Sequence, residues 1–150
     1  VGQLHVFLSM IAKDTPMEEE IEKRNQYVKR AIDYIQSNYH IPIKVTDVAN
    51  FVCINRSYLY SLFQEALEMS PQQFLSRYRI TKAAELLLTS SLSIESIALS
   101  TGYNDPFVFT KAFKNLTGMS PTVYRKEKKK PKNKKSREYL EQIEELFVSK

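Results

Sequence analysis

The chain of 150 residues holds one cysteine, two histidines, three glycines and six prolines, and each scarcity excludes something. A single thiol cannot close an internal disulfide. Cys53 with the scattered His5 and His40 offers no tetrahedral ligand set, so neither a metal nor another cofactor is expected. That cysteine usage suits a reducing compartment, and a cytoplasmic location is expected. Alternating apolar runs closed by hairpin dipeptides are missing, which argues against a sheet. No stretch approaches the roughly 18 apolar residues of a membrane-spanning helix. The run from Val6 to Ala12 is short and lacks the basic flank of a signal peptide, so no membrane partner is expected. Catalysis needs convergent titratable groups, and none is evident: His5 and His40 lie far apart, and Cys53 has no base beside it. No enzyme is expected, and Cys53 reads as a small buried residue at a turn.

What is present points to helices. A hydrophobic fraction of 43% and a charged fraction of 26% can furnish one core or two small ones side by side. Apolar residues recur at three- and four-residue spacing along the long segments, the period of an amphipathic helix. The net charge is +5, unevenly placed: residues 1–22 carry −4, residues 23–124 carry +4, residues 125–135 carry +7 and residues 136–150 carry −2. The middle of the chain is only mildly basic, so charge alone does not single it out.

The chain repeats itself. A shift of 49 to 50 residues places Val45, Val48, Ala49 and Asn55 on Ile94, Ile97, Ala98 and Asn104, and Leu59 and Phe63 on Phe109 and Phe113. Met69-Ser70-Pro71 and Phe74 then fall on Met119-Ser120-Pro121 and Tyr124. The register slips where Val52-Cys53-Ile54-Asn55 faces the longer Thr101-Gly102-Tyr103-Asn104-Asp105, and turns tolerate insertions. A short helix, a tight turn and a second helix, present twice, is a duplicated helix-turn-helix.

Local signals place the elements. Thr15-Pro16-Met17-Glu18 predicts a helix start with reciprocal capping, running to about Tyr39 with Ile21, Val28, Ile32 and Ile35 on its apolar face. Ile41-Pro42 ends it. The first helix-turn-helix is expected at about 44–67: Lys44 is a poor cap, Asp47 favours the first turn, and Asn55 caps a second helix from Arg56 to Leu67. There Leu59, Leu62 and Phe63 face the core and leave Ser57, Tyr60, Ser61 and Gln64 outside. A linker helix at about 71–88, roughly 27 Å long by its rise per residue, carries Phe74, Tyr78, Ala83, Leu86 and Leu87 for both units. The second helix-turn-helix, about 93–116, has Ser93 and Asp105-Pro106 as starts and Gly102 in its turn. In its second helix Phe109, Ala112 and Phe113 face inward, and Phe107, Val108, Thr110 and Lys111 lie on the outer side or its edges. A Phe and a Val near water mark that face as an interface.

The ends differ from this body. Leu4, Phe7, Leu8 and Ile11 form an apolar stripe in residues 1–15, which are expected to be the stub of an upstream sensor domain or linker. A helix packing back onto this same body is the other reading of that stripe. Residues 128–150 are expected to be a basic linker and an amphipathic last helix with Tyr139, Leu140, Ile143, Leu146 and Phe147 on one stripe. The lysines read either as a solvated linker or as an arm adding sequence-blind phosphate attraction.

Over roughly Arg24 to Lys126 the chain resembles the DNA-binding domain of the AraC/XylS family of bacterial transcription regulators. The match is carried by Ala49, Ser57-Tyr58-Leu59, Phe63, Met69-Ser70-Pro71, Tyr78-Arg79-Ile80, Ala83 and Leu86-Leu87 in the first half. It continues through Ser93-Ile94, Ile97-Ala98, Gly102-Tyr103-Asn104-Asp105-Pro106, Phe109, Phe113-Lys114, Gly118-Met119-Ser120-Pro121 and Tyr124-Arg125. The resemblance implies an all-α fold of about seven helices over 16–127, in two helix-turn-helix subdomains joined by the long linker helix, with terminal helical extensions besides. It implies a sequence-specific regulator, expected to be an activator, whose two recognition helices enter successive major grooves of one bipartite site. Carried over by position, the base-facing residues are Arg56, Ser57, Tyr60, Ser61, Phe107, Val108 and Lys111. Thr46, Gln64, Thr110, Lys114 and Arg125 are expected at phosphates. Double-stranded DNA is the expected partner, with RNA polymerase, and with a second copy through the upstream domain.

Cys53 departs from the family, which often has glycine in that turn, and the first recognition face is nearly uncharged apart from Arg56. DNA-repair methyltransferases carry a similar helix-turn-helix but need additional cysteines that this chain lacks. The rival that stays open is a helical protein-interaction module with weak or non-specific DNA binding.

Overall fold

The computed structural model describes residues 15–128 together with Glu141, Gln142 and Glu145, which are helical. The stripe from Leu4 to Ile11, the basic run beyond Lys128 and the stripe from Tyr139 to Phe147 lie outside the described residues. Within residues 15–128 seven helices follow in order: α1 Pro16–Asn38, α2 Val45–Val52, α3 Arg56–Leu67, α4 Pro71–Thr89, α5 Ile94–Ser100, α6 Pro106–Thr117 and α7 Pro121–Lys128. No strand occurs among the described residues, and none of their helices is long and apolar enough to cross a membrane.

Caps explain most helix starts. The Asn55 side chain accepts from the Tyr58 N–H at 2.7 Å, Ser93 from Ser96 at 3.1 Å and Asp105 from Phe107 at 2.9 Å. Ser70 and Gln73 cap reciprocally, each side-chain oxygen accepting from the other's backbone N–H at 3.1 and 2.9 Å. Such a cap contributes about 1 kcal/mol. At α2 the missing cap is replaced from inside the helix, where the Asp47 carboxylate accepts from the Lys44 N–H at 2.7 Å. The reciprocal capping expected at Thr15 is absent: its side chain makes no cap bond, and its hydroxyl oxygen is buried without a partner among the described residues. Proline at the first position starts α1 unaided, because its fixed φ suits the helix and its missing N–H is one that would go unpaired.

Two cores form, one per repeat. The first gathers Val28, Ala31, Ile32 and Ile35 of α1, Val45, Val48, Ala49 and Val52 of α2, Leu59, Leu62 and Phe63 of α3, and Phe74 and Leu75 of α4. The second gathers Ile80, Ala83, Ala84 and Leu87 of α4 with Ile97, Ala98, Tyr103, Phe109, Phe113 and Tyr124. The linker helix thus gives its first half to one unit and its second half to the other. Its 19 residues span roughly 28 Å by the rise per residue. The buried face of α1 begins later than the periodicity predicts. Ile21 is half exposed and lines a shallow, open cleft with Leu62 and Ala66 of α3.

Left-handed residues end the helices unequally in the two repeats. α6 stops at Gly118, φ +82°, and the second turn bends at Gly102, φ +91°. The equivalent end of α3 is held by Glu68 at φ +57°, and α2 ends at Cys53, φ +66°. Side chains other than glycine's pay about 1 kcal/mol or more for this conformation. Cys53 is also exposed, not buried as its residue type predicts, since the left-handed turn points its side chain away from the core.

Candidate nucleic-acid interface

The first recognition helix, α3, is anchored by Leu59, Leu62 and Phe63, which are essentially inaccessible. That leaves Arg56, Ser57, Tyr60 and Ser61 exposed along one side and Gln64 half-buried. These polar groups already hold one another. Gln64 Nε2 donates to the Tyr60 hydroxyl at 3.1 Å, and Ser61 Oγ donates to the Ser57 carbonyl at 3.2 Å. Tyr60 is therefore oriented but keeps its own proton to donate. Thr46 is exposed in the first turn of α2.

The second recognition helix, α6, is pinned by Phe109 and Phe113, both fully buried, their rings tilted against each other and that of Phe113 meeting Tyr124 edge-on. Its outer face is chemically different from that of α3. Phe107 is 85% exposed and Val108 54%, with Lys111 and Lys114 exposed beyond them and Thr110 half-buried. A phenylalanine this open costs hydration free energy in the free protein, about 25 cal/mol per Å² of apolar surface, which a partner would recover by covering it. Arg56, Lys111 and Lys114 form no ion pair among the described residues, so their charge is uncompensated.

Two further arginines face inward. Arg79 of α4 is buried; its Nε donates to the Tyr39 carbonyl and its Nη2 to the Ile41 carbonyl, each at 2.9 Å. Its guanidinium also lies 5.6 Å from the centre of the Tyr103 ring. Burial lowers the Arg79 pKa, with the facing Tyr103 opposing, and burial raises that of Tyr103, with Arg79 and Ser76 opposing. Arg125 of α7 donates from Nε to the Leu87 carbonyl at 3.0 Å and from Nη2 to the Ser90 carbonyl at 3.3 Å. Arg125, expected at a phosphate, here gives two of its donors to the end of α4, where the carbonyls lack helical partners.

Arg79 and Arg125 perform the same act in the two repeats. Each reaches from the last helix of its unit to backbone carbonyls at or just past the end of the unit's first helix. Alignment hides this, because Arg79 stands eight residues after Pro71 and Arg125 four after Pro121. A signal was available: Leu75, Arg79 and Ala83 recur at four-residue spacing, which puts an arginine on the buried stripe of α4.

The comparisons with known proteins agree with this geometry. A family model described as a helix-turn-helix domain matches residues 48–127. The chain is 40% identical over 104 residues to the raffinose operon transcriptional regulatory protein RafR of Pediococcus pentosaceus, covering 69% of this chain and 38% of that protein. It is 38% identical over 106 residues to the lactose operon transcription activator of Staphylococcus xylosus, covering 71% of this chain and 38% of that one. The chain therefore spans well under half the length of these relatives. Among solved structures, the C-terminal domain of AraT, a response regulator from Geobacillus stearothermophilus, superimposes with a TM-score of 0.65 at 37% identity. That match covers 67% of this chain and 84% of the AraT domain. With two helix-turn-helix units on one linker helix and a match of this extent, the chain belongs to the AraC/XylS family of bacterial transcription regulators.

Proposed function

We propose that this chain reads a bipartite DNA site as a single copy, with α3 and α6 in successive major grooves. The observation that carries it is the pair of exposed faces, Ser57, Tyr60 and Ser61 on α3 and Phe107, Val108 and Lys111 on α6, each on a capped helix packed against the same α4. A linker of roughly 28 Å, with the widths of the flanking helices added, suits the repeat of about 34 Å between successive grooves. Lys111 is suited to donate to guanine O6 or N7, the serines and Tyr60 to exchange hydrogen bonds with several bases, and Phe107 and Val108 to pack on thymine methyl groups. Arg56 flanks the first face. Thr46, Gln64, Thr110 and Lys114 surround the two helices as phosphate donors, and Arg125 is assigned to the fold instead.

The names of the relatives extend the reading. Raffinose and lactose operons are the settings of the two described above, one of them an activator, so we place this chain in the activation of a sugar-utilisation operon, with RNA polymerase as a partner. Selection of the fragment from random duplex DNA at about 150 mM salt tests the core of the proposal, because non-specific attraction is partly screened there. Two short motifs about ten base pairs apart are expected. Absence of any motif, with binding that falls steeply with salt, would favour the rival interaction module.

A further inference from the structure

We infer that Arg79 is the positioning residue that fixes how far apart, and at what angle, the two recognition helices read DNA. The inference rests on the bipartite reading above and deepens it. Both units pack on α4, but long helices are rarely straight, so a shared helix by itself does not fix one inter-unit angle. Arg79 closes the structure on a second side. Its guanidinium is bonded to the Tyr39 and Ile41 carbonyls, at the end of the first unit's α1, and lies beside Tyr103 in the turn of the second unit. Gly102 of that turn is packed directly against the Tyr39 carbonyl and the Arg79 guanidinium, leaving no room there for a Cβ. One buried cation thus joins the end of α1 to the turn that carries α6.

Elsewhere the two units are less tightly joined. Between the first half of α4 and α6 runs an open cleft of about 260 Å³, bordered by Gln72, Ser76, Arg77, Ala112, Asn115 and Leu116. The two helices do not close on each other along it, so that side constrains the angle between them less than the Arg79 junction does. The Arg79 junction is the place where a change in inter-unit angle meets resistance from charged hydrogen bonds and close backbone packing together. Its consequence for recognition is a narrow tolerance for the separation of the two half-sites, since one base pair of insertion shifts a half-site along the axis and rotates it about a tenth of a turn.

The experiment measures binding of the full chain to a duplex series in which the two selected half-sites are moved apart or together one base pair at a time. The wild-type chain, Arg79→Lys and Arg79→Met are compared, and each variant's fold is checked by its urea midpoint. Wild type is expected to lose tenfold or more in affinity for one base pair of change. Arg79→Met is expected to lose less than threefold across the same series while binding its best site more weakly. Arg79→Lys keeps the charge without the fork that spans two carbonyls, so it should fall between and keeps the test available if the methionine variant does not fold. Variants whose affinities drop by one common factor, with the wild-type spacing profile retained, would overturn the inference and leave Arg79 a residue of stability alone. A wild-type chain that selects no paired motif would overturn the bipartite reading and the brace with it.

Discussion

Gly102 stands so close to Arg79 that a Cβ on it would lie 2.8 Å from the guanidinium Nε, and the Tyr39 carbonyl presses the same spot from the other side. Gly118, the other left-handed glycine, has open space where its Cβ would be. The pair separates two costs that usually come together. Gly118→Ala should lower stability by about 1 kcal/mol, the conformational cost alone. Gly102→Ala adds a clash with backbone and a buried cation and should cost about 3 kcal/mol. Urea denaturation of both variants checks the order, and equal losses would mean that the junction at Gly102 yields.

The first repeat should be improvable where the second is already served by glycine. Cys53 and Glu68 are both exposed and left-handed, so replacing either removes little packing. Relief of about 1–2 kcal/mol of strain, less the added entropy of the unfolded chain, leaves a gain of about 0.5–1 kcal/mol for Cys53→Gly and for Glu68→Gly. The sites are far enough apart in the fold's turns for the gains to add. Thermal unfolding of the single and double variants tests this, and Cys53→Val, with a β-branched side chain, should destabilise instead.

Arg125 offers a sharp contrast between two roles. A phosphate-bound arginine contributes close to one unit to the slope of log affinity against log salt, and its loss reduces that slope. Arg125 instead donates to the Leu87 and Ser90 carbonyls. Arg125→Met should therefore cost stability, about 1–3 kcal/mol for two charge-assisted bonds, while the salt slope of DNA binding stays as in wild type. A flattened slope with unchanged stability would return Arg125 to the DNA.

The helical architecture was readable because it is written in local chemistry. Asn55, Ser70, Ser93 and Asp105 cap the helices they precede, and the spacing of Leu59, Leu62 and Phe63, or of Phe109 and Phe113, gives the buried side directly. The exposed faces followed as the complement of those stripes. What sequence reading missed is long-range. Arg79 and Arg125 find carbonyls 35 to 40 residues away; the four-residue spacing of Leu75, Arg79 and Ala83 marks Arg79 as inward-facing, but no local pattern names the carbonyls that either arginine reaches. Cys53 failed for the opposite reason: its residue type predicts burial, but a backbone angle overrides it. Ile21 shares the period of Val28 and Ile32 yet stays half exposed in the cleft against Leu62 and Ala66, and periodicity carries no information on how closely a neighbour packs.

Three residues of α6 should respond differently to alanine, and the differences report their separate tasks. Lys111, exposed one turn into the helix, is placed to meet a base edge, so Lys111→Ala should cost about 1–3 kcal/mol on the selected site and relax selection at one position of the motif. Lys114 lies nearly a turn further on, where a backbone phosphate is the natural partner. Its alanine variant should weaken binding to all sequences alike and reduce the salt slope by about one unit. Phe107 carries no charge, so Phe107→Ala should leave the salt slope untouched and lower affinity only for sites with a thymine beside it. The same substitution removes the apolar side chain that is 85% exposed and should make the free protein no less stable, because Phe107 has no core to leave. Binding isotherms at three salt concentrations on the selected site and on one random duplex separate the three patterns. If all three variants changed only the random-duplex binding, α6 would be a phosphate-tracking helix, and sequence reading would fall to α3.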